Sequence, residues 1–344
     1  MKKKFNLLLN NDRSDFLMSK NITITKKKLL HNNFVFIDGI AKSGKIVVSS
    51  IITSLKNCEN QTFPERFNDY VKFSNLNLLD QDLAIGMILR DMQTLMIENK
   101  LSRFLNFRKY DLSSVDNSPL KKKYYENLKI KDNDQEIEKI ITKLEKEKST
   151  IPIVVDDFFT NCFYKLKYFY KFKKIIMLRN PIGILYENLS RKRIEKQIKS
   201  HPWQTTFHYD YKNIKIPAFV DPKKIKYFLS LNKIGKYIMF MNSEYKPYLE
   251  NKLFKIRNSK FLFIEDIWEN PNLIVNLIAK FLNTKKTTNT EIMLKKLELP
   301  RKQTKETYEK QFYYLKKKLN TMEFNTILAL EKKYYLKKMK FGLL

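Results

Sequence analysis

The sequence predicts an α/β fold with a central, mainly parallel sheet flanked by helices, and two observations predict it. Short apolar runs rich in β-branched and aromatic residues recur along the chain and alternate with segments of helical spacing. Such strand-then-helix units form parallel sheets with helices on both faces. Turn residues are also scarce, with 6 glycines and 10 prolines in 344 residues, too few for a loop-dominated all-β protein.

Residues 1–32 are polar and rich in Lys and Asn, and read as a lead-in. The first strand is Phe34-Val35-Phe36-Ile37, ending in Asp38-Gly39. Apolar residues at 47, 48, 51, 52 and 55 then keep the spacing of a helix. Residues 60–148 read as a mainly helical insertion: Leu83 to Leu105 is amphipathic, and Asp132 to Lys148 carries Ile137, Ile140, Ile141 and Leu144 as its stripe. Ile151 to Val155 is a second strand, ending in Asp156-Asp157. Lys174 to Leu178 is a third, ending in Arg179-Asn180-Pro181 and followed by a helix through Arg193. Residues 200–220 carry Pro and aromatics and suggest a lid or small hairpin. Lys260 to Ile264 is a fourth strand, with a helix from Pro271 to Leu282. Residues 33–285 thus form the main domain, and 286–344 a basic, helical part of it.

The balance of 67 Lys+Arg against 36 Asp+Glu leaves a formal charge of +31. A nucleic-acid footprint concentrates its charge, whereas these lysines are spread along the chain. Nucleic acid is therefore disfavoured as a partner, while anionic ligands and peripheral contact with an anionic membrane stay open. Two cysteines and three histidines at unrelated spacings give neither a disulfide framework nor a metal set, so no metal is expected. The apolar run at residues 5–9 is too short for a signal peptide and no stretch reaches membrane-spanning length, which points to a cytoplasmic protein.

Gly39-Ile40-Ala41-Lys42-Ser43-Gly44-Lys45 meets the G-x-x-x-x-G-K spacing of a phosphate loop, and it stands between a strand and a helix. Glycines there let backbone N–H groups turn toward phosphate oxygens, and the helix N-terminus adds positive potential. The competing reading is an ordinary β–α turn. A Walker loop next needs Ser or Thr as a Mg²⁺ ligand, but Ile46 follows. An ordinary ATPase or GTPase is disfavoured; the fold expected is a three-layer P-loop fold, and a P-loop protein that binds its nucleotide without Mg²⁺ stays open.

At this point the chain resembles the sulfotransferases. Ala41-Lys42-Ser43-Gly44 is similar to the family's K-S-G-T-T loop, and Leu178-Arg179-Asn180-Pro181 to its R-N-P motif. Phe261 to Asp266 with Asn270-Pro271 and Phe281-Leu282 is similar to its "strand, E-D-L, N-P, F-L" segment. The resemblance spans residues 33–285, and it implies 3′-phosphoadenosine 5′-phosphosulfate (PAPS) as the sulfuryl donor. On it, Lys42 contacts the oxygen bridging phosphate and sulfuryl group, while Gly39, Ala41, Ser43, Gly44, Lys45 and Ile46 complete the 5′ loop and Arg179 pairs with the 3′-phosphate. Lys45-Ile46 replace the family's two threonines. Glu187 stands where the family carries a serine on the 3′-phosphate, and its charge opposes one. Asp157 takes the place of the catalytic base, with a Walker-B-like orienting role as the alternative.

Glu265-Asp266 reads as structural, Arg301-Lys302 as a solvated charge run, and His201 and His208 as surface residues. The expected function is sulfuryl transfer to a hydroxyl or amine of a small molecule, saccharide or lipid head group. The alternatives are a P-loop kinase of a nucleotide or small molecule, and a non-catalytic basic binding protein on the same fold.

Overall fold

The structure, a computed structural model, describes residues 33–75, 77–130, 133–146, 149–155, 169, 171–191, 194, 208–217, 219–250, 258–301 and 305–343. Asp156 and Asp157, His201, and Lys302 lie outside these, as do residues 1–32.

The elements run β1 (Phe34–Asp38), α1 (Lys45–Thr53), α2 (Glu65–Asn75), α3 (Gln81–Lys100), α4 (Lys121–Asn127), α5 (Asp134–Lys146), β2 (Ile151–Val154), β3 (Lys173–Leu178) and α6 (Pro181–Ser190). They continue with β4 (His208–Tyr211), β5 (Ile214–Pro217), α7 (Ile225–Ser230), α8 (Lys233–Glu244), α9 (Lys246–Leu249), β6 (Ser259–Phe263), α10 (Ile264–Glu269), α11 (Pro271–Leu282), α12 (Thr288–Lys296), α13 (Lys305–Lys318) and α14 (Thr321–Phe341).

Four strands form one sheet in the order β2-β1-β3-β6, and all three pairings are parallel. The expected α/β architecture with a parallel sheet is therefore observed, and all four apolar runs lie in it. Alternation along the strands decides what each face packs against. Val35 and Ile37 of β1, with Ile175 and Met177 of β3, meet residues of α1, α11 and α12. Phe34 and Phe36 point the other way, into α2, α3 and α5, where Phe36 meets Phe172 edge to face at 5.7 Å between centroids. Ile176 and Leu178 share that second face farther along the sheet and are covered by α6, α8, α13 and α14. Because both faces are covered, the strands read as continuous apolar runs.

Within the helical segment between β1 and β2, the stripe on α5 is buried at Ile140 and Leu144. The aromatic-rich region before α7 contains an antiparallel hairpin, β4–β5, turning through Lys212 and Asn213 at φ 49° and 63°. Two positive φ values in a two-residue turn match the twist of a hairpin. Ile264, expected as the last residue of the fourth strand, instead opens α10.

Candidate anion-binding site

The site is built where β1 and β3 end side by side, with Asp38 of β1 in register with Ile176 of β3. Asp38 is buried, and its Oδ1 accepts from Gly39 N at 2.7 Å and from Tyr248 Oη at 3.0 Å. That carboxylate fixes the exit direction of the loop. Gly39 has φ 147°, and a Cβ on it would lie 2.5 Å from the Met177 carbonyl oxygen and 2.6 Å from Ser43 Oγ. Lys42 at φ 70° and Gly44 at φ 102° turn the backbone twice more. Ser43 N donates to Ile40 O at 3.1 Å and closes the turn. A Cβ on Gly44 would meet Ile264 Cδ1 at 2.5 Å, so the loop is pressed against the start of α10.

Helix α1 starts at Lys45 with no capping side chain and no acidic residue in its first turn. Helix N-termini leave backbone donors unsatisfied, and an anion is one way to satisfy them. Ser43 Oγ is buried and has no hydrogen-bond partner among the described residues. The resemblance places Lys45 on the 5′-phosphate. Its side chain is buried and its Nζ donates to Gly39 O at 2.5 Å, bracing the loop from beneath. Ile46 is 39% exposed and presents an alkyl chain at the first turn of α1. Ala41 and Lys42 are half-buried at the loop crest.

Arg179 reaches this loop from the end of β3. Its Nη1 donates to Lys42 O at 3.1 Å and to Glu187 Oε2 at 2.5 Å. The backbone of Arg179 is held by Tyr245, whose hydroxyl accepts from Arg179 N at 3.2 Å and donates to Arg179 O at 2.5 Å. Burial pushes the Tyr245 hydroxyl well up, so it keeps the proton it donates.

Asn180 caps α6 by accepting from Ile182 N at 2.8 Å, with Pro181 at the first helical position. Its own N–H donates to Glu265 Oε1 at 2.9 Å, and its amide to Glu331 Oε1 at 2.8 Å. Tyr334 closes the network by donating to Glu265 Oε2 at 2.5 Å. Burial pushes the Glu265 carboxyl up, against those donors. Glu265 thus ties the Arg179-Asn180-Pro181 turn to α14. Asp266 accepts from Lys338 at 2.7 Å and from Leu343 N at 3.1 Å.

Glu187, one turn before the end of α6, does not point away from the loop. Besides Arg179 it meets Lys42 Nζ at 3.7 Å and Arg191 Nη1 at 3.5 Å. Burial alone would raise its pKa; the Arg179 hydrogen bond and the charges of Arg179, Lys42 and Arg191 outweigh that and hold it below its ordinary 4.5. The structure thus gathers Gly39, Ala41, Lys42, Ser43, Gly44, Lys45, Ile46, Arg179 and Glu187 into one locality, while Asp157 falls outside the described residues.

Two further residues belong beside it. The guanidinium carbons of Arg179 and Arg301 lie 5.2 Å and 4.8 Å from the ring centroid of Trp268. Arg301 N donates to Trp268 O at 2.8 Å. Desolvation, and then the charge of Arg179, lower the pKa of Arg301, so the two cations feel each other. Arg301 is exposed, as a solvated charge run would be, but it is anchored on the same indole as Arg179. Trp268 carried no motif; its place three residues after Glu265 was the only available signal.

No protein-family model matches the chain, and no curated protein matches it in sequence. Among solved structures it is similar to the sulfotransferase STF9 from Mycobacterium avium, at 11% identity and a TM-score of 0.33, over 85% of this chain and 77% of that one.

Proposed function

We propose that the chain is a sulfuryl-transferring enzyme that takes PAPS as donor at the Gly39–Lys45 loop. The observation that carries this reading is the bond from Arg179 to the Lys42 carbonyl. Two motifs 137 residues apart in sequence, each suited to one anionic end of the donor, meet there. The buried, unpartnered Ser43 Oγ and the positive-φ turns at Lys42 and Gly44 suit a bound oxyanion. The donor, when bound, supplies an activated sulfuryl group.

The residues of the chain supply the rest. Lys42 offsets the negative charge that develops on the departing phosphate. The uncapped N–H groups of α1 and Ser43 orient the 5′ end, and Arg179 holds the other anionic end with its planar fork. Lys45 braces the loop through its bond to the Gly39 carbonyl. Asp157 takes the acceptor's proton, an assignment supported by its sequence position alone. The acceptor is a hydroxyl or amine of a small molecule, saccharide or lipid head group. No helix among the described residues is long and apolar enough to cross a membrane.

Calorimetry with 3′-phosphoadenosine 5′-phosphate tests the donor. Saturable binding without added Mg²⁺ is expected. Lys42→Ala is expected to lower sulfuryl transfer about 10²–10³-fold, the loss found when one preorganised donor to developing charge is removed. Tight binding of ATP–Mg²⁺ with indifference to the bisphosphate would sink the assignment and favour a kinase.

A further inference from the structure

We infer that Glu187 is a resident counter-anion of the loop site, which an incoming ligand must displace and which thereby restricts the site to ligands carrying several negative charges. The inference rests on the loop being an anion site, as proposed above, but not on the nucleotide attached to the anion.

The argument starts from charge. Lys42, Arg179 and Arg191 converge on the single carboxylate of Glu187 at 3.7, 2.5 and 3.5 Å. Arg301, stacked on the same Trp268 as Arg179, adds a further positive charge beside the cluster. Lys42 and Arg179 are also the two side chains that flank the loop crest. With side-chain exposures of 27% and 13%, their charges are costly to leave unbalanced when no ligand is present. Glu187 supplies that balance from within the chain.

The same geometry provides a way out for the carboxylate. Arg191 sits one turn farther along, its side chain 57% exposed, and already touches Glu187 Oε1. Rotation of Glu187 toward Arg191 and solvent keeps it paired while releasing Arg179 and Lys42 to a ligand. A ligand with little charge gains too little from those two cations to drive the exchange. A polyphosphate, or a donor with anionic groups at both ends, gains from both at once. Glu187 therefore sets specificity by competition and takes no part in bond making.

Inorganic pyrophosphate is the probe, because it carries the charge without any nucleoside. Its dissociation constant would be measured by calorimetry at fixed ionic strength for the full-length wild type, Glu187→Gln and Glu187→Ser. Both variants are expected to bind at least about tenfold tighter, since a like charge within about 4 Å of the ligand position is removed. Orthophosphate, weak or undetectable with wild type, is expected to gain by at least as large a factor. Adding Lys42→Ala to Glu187→Gln is expected to abolish the gain. Equal or weaker pyrophosphate binding by both variants, no binding by any of the proteins, or a gain that survives Lys42→Ala would each overturn the inference. Thermal melts of the same samples show that the variants compared are folded, and the serine variant stands in should glutamine fail. Failure of the bisphosphate to bind, with the pyrophosphate gain intact, would remove the donor assignment and leave the counter-anion in place.

Discussion

Gly39→Ala is expected to destabilise the protein by about 2–6 kcal/mol and to abolish anion binding at the loop. Two effects add. A backbone at φ 147° is one that residues with a Cβ rarely adopt, a strain of ~1–3 kcal/mol. The new methyl would also lie 2.5 Å from the Met177 carbonyl, which belongs to β3 and cannot move without breaking the sheet. Overpacking of that kind adds ~1–3 kcal/mol. With an unfolding entropy of ~2.1 cal/mol/K per residue, the melting temperature of a chain this long falls by roughly 3–8 °C. Gly86→Ala is the control: it lies in the middle of α3 with nothing within 4 Å of the added Cβ, and a gain of roughly 0.5–1 kcal/mol is expected. A calorimetric scan in which the two variants melt alike would contradict this account of the loop.

Lys100→Met is expected to remove about 3–5 kcal/mol at neutral pH, because it strands a buried carboxylate. Glu59 is 2% exposed, with Lys100 Nζ at 2.5 Å from Oε1 and Tyr124 Oη at 2.8 Å from Oε2. Burial by itself would raise the pKa of Glu59; Lys100 first, then Lys123, reverse this and hold it below 4.5. In the wild type the contribution of Glu59 is therefore fully present above about pH 4.5 and lost as pH falls below it. Without Lys100 burial prevails, the folded pKa rises above the unfolded one, and Glu59 weakens the fold increasingly as pH rises. Denaturant melts at pH 7 and pH 5 should thus show the deficit of the variant shrinking toward the lower pH. A deficit independent of pH would mean that lost packing, not charge, explains the effect.

The strands were legible because each carries a short apolar run, the signature of a sheet covered on both faces. Helix α11 was equally plain, opening on Pro271 and closing on Asn283 in a left-handed turn. The turn between β1 and α1 was legible from spacing, but the contact of Arg179 with the Lys42 carbonyl was not, since the resemblance assigns the two to opposite ends of the donor. What could not be read was the partner of each charge. That Glu187 meets both Lys42 and Arg179 could not be read, because those distances depend on how α6 leaves β3. Nothing in the order of residues says that the Lys45 side chain folds back to the Gly39 carbonyl. Trp268 and Arg301 were obscure for the same reason: 33 positions separate them, and a backbone bond between α10 and the segment after α12 brings them together. Ile264 was misplaced because an apolar residue at a strand end serves equally well to start a buried helix.

The network behind Arg179 bears on how the chain is made. Asn180 reaches forward 151 residues to Glu331, and Glu265 waits for the hydroxyl of Tyr334. During synthesis the sheet can pair as soon as β6 has emerged, but the turn carrying Arg179 then still lacks Glu331 and Tyr334. The Arg179-Asn180-Pro181 turn is therefore complete only once α14 has docked, although Tyr245 and Glu187 already hold the arginine.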